Sequence, residues 1–261
     1  MSSWRSLQVM ILRRFLVEET GCASYLFGCT SRGHLGVVDP HLELVDDYLA
    51  AAKRAGSRIE QVFDTHVHAD HPSGAAELSR RTGAALRLPA RAPVEFEYEP
   101  LRDGEVVPLG NTSVQVVLTP GHAWAHACLV VTDKRRGEDP WALFSGDTLL
   151  VGSVGRPDLH ADEAELAREL WRSLHERLLS LPDWVELHPG HVGGSACGAG
   201  ISSNPSSTIG FERRNNGLLA VSDGRAFAER VLSELGAAPT EFRAIYEENR
   251  RGHAHGERRA A

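Results

Sequence analysis

The stretch DTHVHADHPSG, Asp64 to Gly74, sets three histidines and two aspartates within eleven residues. It follows the strand-like run IEQVF and precedes the helical AAELSRRT. A strand-to-helix turn of this kind aims several metal ligands at one place. The chain must therefore fold so that other ligand-bearing segments meet this turn. Three later segments qualify: TPGHAWAH offers His122 and His126, FSGDTLL offers Asp147, and ELHPGH offers His188 and His191. Each follows a strand-like run. Imidazole and carboxylate together suit zinc, iron or manganese, and no thiol is expected among them. Taken singly, Asp147 reads equally as a turn residue and His122 as a solvated one. Together with His66, His68, Asp70 and His71 they read as one metal site.

The remaining pattern places that site. Strand-like runs VMILRRFLV, ASYLFGC and HLGVVD come first, and LELVDDYLAAAKRAG has helical spacing up to Gly56. PSGAAELSRRTG predicts a helix with Pro72 near its first turn and Gly83 past its end. ALRLP, EVVPLG, SVQVVLTP, ACLVVTD and WALFSGD predict strands. ADEAELARELWRSLHERLLSL predicts one long amphipathic helix stopped by Pro182. WVELHPGH is a last strand, and residues 204–249 read as mainly helical. Strands in two batches, each followed by helix, predict an α/β chain of two packed sheets flanked by helices. Ligand sites on such scaffolds occupy the loops at strand ends. One domain is expected over 1–249, with a polar, disordered tail over 250–261 that carries a solvated His253 and His255.

Composition narrows the function class. The net charge of -7 disfavours a nucleic-acid partner. The four cysteines form no C-x-x-C pair, which argues against a disulfide framework and for a reducing compartment. The apolar run near the N-terminus is broken by Arg13 and Arg14, too short for a span and poor as a signal peptide. A cytoplasmic protein with no membrane partner is the expectation.

The ordered set THVHADH, TPGH, SGDTL and HPGH resembles the motifs of the metallo-β-lactamase superfamily. That resemblance implies an αββα sandwich of two mixed sheets with metal at one edge. Asp39, in VVDP, would orient the metal loop by hydrogen bonds; a structural role fits it equally. THVHADHPSGAAELSRRTGA, GDTLLVGSVGRPDL, GSACG and SSTIGFERRNN look like persulfide dioxygenases, in the subgroup often fused to a rhodanese domain. They look unlike zinc β-lactamases, and the helical C-terminal substrate domain of glyoxalase II hydrolases is not expected. The chain ends soon after the core, so a fused rhodanese domain is not expected either. The resemblance implies one Fe(II) per chain held by His66, His122 and Asp147. His68, Asp70, His71 and His191 would then surround that ion, or hold a second one if the chain is a two-zinc hydrolase acting on a thioester or lactone. A non-catalytic sulfur-binding partner of a separate rhodanese is a third reading, which the intact ligand set opposes. The expected substrates are a small thiol persulfide and dioxygen, sulfur delivery by a separate rhodanese being the alternative route, and a homodimer is the family-level expectation.

Several neighbours have two readings. Cys197, in GSACG, is either a small buried residue or a thiol at the substrate mouth. Arg156 braces its loop through Asp158 or binds a substrate carboxylate. Arg213 and Arg214 bind the carboxylates of a thiol such as glutathione or form a solvated face. Trp124 walls the pocket or packs in the core. Cys22, Cys29 and Cys128 read as core.

Overall fold

Period-two burial builds the sandwich. In β2 (Cys22–Cys29) every residue is buried, with Tyr25 and Phe27 on one face and Leu26 on the other. In β9 (Ala127–Asp133), Ala127, Leu129 and Val131 face the same interior as Tyr25 and Phe27, while Cys128 and Val130 face outward. A strand buried on both faces belongs to a layered fold covered on each side. The computed structural model, which describes residues 10–252, has this arrangement.

The first sheet has the order β1 (Ile11–Val17), β2, β3 (His34–Val38), β4 (Arg58–Phe63), β5 (Ala85–Pro89), β6 (Glu99–Leu101). Its first three strands are antiparallel and the rest parallel. The second runs β14 (Ser207–Thr208), β13 (Glu186–Pro189), β10 (Ala142–Gly146), β9, β8 (Thr112–Leu118), β7 (Val106–Leu109), with only β10 and β13 parallel. A short hairpin, β11 (Leu149–Leu150) and β12 (Ser153–Val154), follows β10. Helices α1 (Val45–Arg54) and α2 (Ala75–Thr82) cover the first sheet through Tyr48 and Leu78. Helices α3 (Glu163–Arg172) and α5 (Gly224–Glu234) cover the second through Leu170, Phe227 and Val231. Two further helices are α4 (Ile209–Asn215) and α6 (Phe242–Arg251). The αββα expectation holds. Among the described residues, no helix is long and apolar enough to cross a membrane.

Local departures have local causes. Pro72 precedes α2 rather than opening it, because residues 72–74 pair with 40–42: Leu42 N–H donates to Pro72 O and Gly74 N–H to Pro40 O. The long helix ends as α at Arg172 and continues through a π turn (Ser173–Arg177) and a 3-10 turn (Leu178–Ser180) before Pro182. Strand β6 escapes sequence reasoning because Pro100 demotes it, and it sits at a sheet edge, where proline is tolerated. Helix α6 runs to Arg251, with Arg250 paired to Glu95, so helix continues beyond the expected boundary at 249. Residues 253–261, with His253 and His255, lie outside the described residues.

Candidate metal centre

Parallel strands open their loops at the same end. β3 and β4 deliver Asp39 and the Asp64–His71 turn; β10 and β13 deliver Asp147 and His191. The β8–β9 connection, closed by Thr119 N–H to His126 O at 2.9 Å, delivers His122. Close approach depends on missing Cβ atoms at two of these loops. At Gly190 a Cβ would lie 2.7 Å from Asp147 Oδ1, and at Gly146 (φ +48°) 2.5 Å from Thr65 Oγ1.

His66, His122 and Asp147 converge, with one ligand atom of each within 4.8 Å of the others, and all three are buried. Hydrogen bonds fix which nitrogen each ring presents. Asp39 accepts Thr65 N–H at 2.7 Å and Thr65 Oγ1–H at 3.0 Å. Thr65 Oγ1 in turn lies 3.0 Å from His66 Nδ1, which donates to it. His122 Nδ1–H donates to Arg156 O at 2.9 Å. Both rings therefore keep Nε2 free, the arrangement a metal ligand requires. Burial pushes both imidazoles below their ordinary value, His66 well below, so they are neutral and able to bind metal. Asp147 Oδ2 lies 3.5 Å from His122 Nε2 and has no hydrogen-bond partner although fully buried. A buried carboxylate oxygen left unpartnered beside two free imidazole nitrogens fits a cation.

The other candidates cluster around Asp70. Its Oδ2 lies 3.0 Å from Cys22 Sγ, 3.0 Å from His71 Nδ1 and 2.9 Å from His191 Nε2. His191 Nδ1 lies 2.7 Å from Asp147 Oδ1, so His191 bridges two carboxylates. Burial opposes its charge, yet Asp147, Cys197 and Asp70 hold His191 well above its usual range. Burial likewise opposes Asp147's charge, but His191 draws that carboxyl down to about 2. His68 lies beside the triad, its ring 4.3 Å from that of His66; Asp39 Oδ1 lies 3.2 Å from its Nε2, and its buried Nδ1 has no partner, so it too offers a free nitrogen. His126 is no member of the triad: its Nδ1 bonds Thr119 and Thr148, and its Nε2 accepts Asp147 N–H at 3.2 Å.

Some expectations are corrected. His188 is not in the site; it packs on Tyr25 and Phe144 and pairs with Glu186. Arg156 is buried, bidentate to Asp158 at 2.7 and 2.8 Å, and bonded to Ala196 O and Gly236 O, so it braces the loop and has no free edge for a substrate. Arg213 and Arg214 both bind Asp183, and Arg213 also the carbonyls of Leu179 and Leu181, so they pin α4 to that turn. Trp124 is half exposed beside His122 and is not core. Cys197 is buried, its thiol pushed up by burial, and it sits with Asp147 and His191. Cys22, read as core, instead reaches Asp70, so a thiol does join the cluster. Nothing local in the sequence marks it: Cys22 meets His191 only across a long-range β-bridge. Asn249 was also missed. Its amide donates to His68 O at 2.9 Å and His71 O at 2.8 Å, and its Oδ1 accepts Ser73 N–H at 2.9 Å.

An αββα sandwich with two histidines and an aspartate at one edge defines a class of metal-binding proteins. The chain belongs to the metallo-β-lactamase superfamily, whose model matches residues 17–191. It is 34% identical over 173 residues to a hydroxyacylglutathione hydrolase of Nitrosococcus oceani, covering 64% of this chain and 61% of that one. It is 27% identical over 183 residues to the mitochondrial persulfide dioxygenase ETHE1 of Bos taurus, covering 69% and 68%. The crystal structure of ETHE1 from Myxococcus xanthus superposes with a TM-score of 0.80 at 28% identity, covering 92% of this chain and 98% of that one. These relatives support the persulfide dioxygenase-like branch. The hydrolase match spans about three fifths of that relative's length.

Proposed function

We propose that the chain is an iron-dependent persulfide dioxygenase, converting the sulfane sulfur of a small thiol persulfide, with dioxygen and water, to sulfite and the free thiol. The observation that carries this is the contrast between two donor sets. His66, His122 and Asp147 converge with Asp147 Oδ2 unpartnered, whereas Asp70 Oδ2 is already taken up by His71 Nδ1 and His191 Nε2, which leaves His71 only its Nε2. A two-histidine, one-carboxylate face is a donor set for Fe(II), and it leaves positions open on the ion. When bound, iron supplies the redox chemistry and adjacent coordination positions that oxygen insertion at sulfur requires, which zinc does not.

The chain's own residues set the stage for that chemistry. Asp39 and Thr65 hold the His66 ring, and the Arg156 carbonyl holds His122. His191 holds Asp147 Oδ1 and leaves Oδ2 for the ion. Cys197, a buried thiol kept protonated, lies beside Asp147 and His191 and modulates turnover without carrying the chemistry. The likeness over nearly the full length of the Myxococcus xanthus protein supports this reading. A glutathione-type persulfide is the substrate class, delivered by diffusion or by a separate rhodanese, in a reducing cytoplasmic setting that four unpaired cysteines suit. A two-zinc hydrolase is the second reading; it draws on the complete set His68, Asp70, His71 and His191 and on the hydrolase relative. Metal analysis and oxygen uptake with glutathione persulfide separate them. About one iron per chain with sulfite production is expected, lost in Asp147→Ala. Two zincs per chain with thioesterase activity and no oxygen uptake would sink the dioxygenase reading.

A further inference from the structure

The triad is nearly sealed: Asp147, His66 and His122 are 0%, 2% and 3% exposed. A substrate larger than water reaches such a centre only if a covering element moves. The cavity of about 370 Å³ beside Asp70 and His71 is lined by no triad residue. Helix α6 is the element that lies over the loops of all three ligands. Its Phe242 packs with Ala69, in the turn of His66, and with Cys197, which sits beside Asp147 and His191. Its Tyr246 joins the apolar cluster of Val67 and Leu88, which Ala125 from the loop of His122 also joins. The Tyr246 ring meets that of His160, in the segment that follows Asp147, edge-on at 5.1 Å.

This cover is lightly fastened. Of the ten residues of α6, Phe242 and Asn249 are buried, whereas α3 and α5 each bury three apolar side chains. The other ties are polar and gathered at the C-terminal end. Asn249 bonds His68 O, His71 O and Ser73 N–H, the Arg250 side chain pairs with Glu95, and Glu95 N–H donates to Arg250 O at 2.8 Å. At the other end, residues 236–241 link α6 to α5, and all of them but Pro239 are exposed. Gly236 is itself fixed, because its carbonyl accepts from Arg156 at 2.8 Å. A helix held by a narrow apolar stripe and a few polar bonds lies at the low end of local stability. When it lifts, water takes over those polar groups, and little apolar surface is exposed.

We propose that α6 is a lid over the metal centre, which swings on residues 236–241 to admit substrate and shuts again over it. Asn249 meets the carbonyls of His68 and His71 only in the shut position, so closure and the shaping of the metal-binding turn are one event. The proposal draws on the dioxygenase reading only in naming a thiol persulfide as what enters; a thioester would need the same opening.

The test is a reversible clamp in the full-length protein. The 2.8 Å bond between Glu95 N–H and Arg250 O brings the two Cα atoms within disulfide range. The native cysteines are all buried, so Glu95→Cys combined with Arg250→Cys cross-links α6 selectively to the segment beside it. The double variant is loaded with Co²⁺, oxidised and given excess EDTA. Cobalt loss is expected to be slower by about tenfold or more in the cross-linked form than after reduction with a phosphine. Each single variant, treated alike, is expected to match the reduced form. Hydrogen exchange on wild type gives a second reading that needs no metal: the amides of α6 are expected to exchange ahead of those of α3. Equal cobalt loss from the cross-linked and reduced forms overturns the lid, and so does exchange in α6 no faster than in α3. Oxygen uptake by the iron-loaded wild type is read separately: a gated ion without oxygen uptake keeps the lid and removes the dioxygenase reading.

Discussion

A metal-binding histidine depends on the nitrogen it does not offer. His66 is held through Thr65 and Asp39, and His122 through a single carbonyl, that of Arg156. The position of that carbonyl rests on the Arg156 side chain, buried and clamped by Asp158, Ala196 O and Gly236 O. Asp158→Asn is therefore expected to destabilise the fold by about 1–3 kcal/mol in urea unfolding at neutral pH. That is below the roughly 3–5 kcal/mol of a fully buried pair, because Asp158 is partly exposed and two carbonyls remain on Arg156. The pH dependence follows from the carboxyl. Burial pushes Asp158 up, but hydrogen bonds and charge from Arg156 bring it below its usual value. A depressed carboxylate contributes stability that is fully present above its unfolded value, about 4, and lost as pH falls through the folded value. The gap between wild type and variant should close below that pH; a gap that stays constant down to acid unfolding would contradict the pairing. His66, His68 and His71 were legible at this scale because their spacing brings them together, whereas the choice of His122 and Asp147 as partners of His66 came from the family resemblance. Cys22 and Asn249 were not, because each acquires its role from a contact distant in sequence: Cys22 with His191, and Asn249 with His68 and His71.

At the scale of elements, the strands were legible where alternation is clean and invisible where it is not. β2 and β9 declare both faces in their sequence, whereas β6 hides behind Pro100 and β14 is two residues long. Helix–strand order predicted the layers, because each helix must bury an apolar stripe on a sheet. What order alone could not give is where α6 lands. This helix carries Asn249 to the metal-binding turn, where one side-chain amide satisfies two carbonyls and one N–H of that turn. Phe242 and Tyr246 anchor it against Ala69 and Cys197. Asn249→Ala leaves the His68 and His71 carbonyls without that donor and frees the turn to shift. A loss of about 10- to 100-fold in metal affinity is expected, the usual cost of removing a group that orients ligands. Competition with a chelator measures it. Unchanged affinity would mean that the turn is rigid without α6.

For the whole molecule, the triad joins two sheets. His66 follows β4 in the first, while Asp147 follows β10 and His122 lies between β8 and β9 in the second. An ion held by all three is a cross-link between halves that otherwise meet through apolar packing around Tyr25, Phe27, Phe63 and Phe144. Binding to the native state alone stabilises by about 2.7 kcal/mol at a hundredfold excess over Kd. For a chain of this size each kcal/mol moves Tm by about 2–4 °C. Chelation is thus expected to lower Tm by about 5–10 °C in wild type and by clearly less in Asp147→Ala; equal shifts in calorimetry would place the stabilising ion elsewhere. The latch on the turn also has a consequence in time. A ribosome releases the triad's last member, Asp147, well before Asn249, and at roughly 5–20 residues per second the interval is on the order of 5–20 s. Throughout that interval the nascent chain owns every triad ligand but lacks the helix that shapes their turn. The first ion to arrive meets a looser claw than the finished protein, and there the intrinsic order of metal affinities, not geometry, governs which ion is captured.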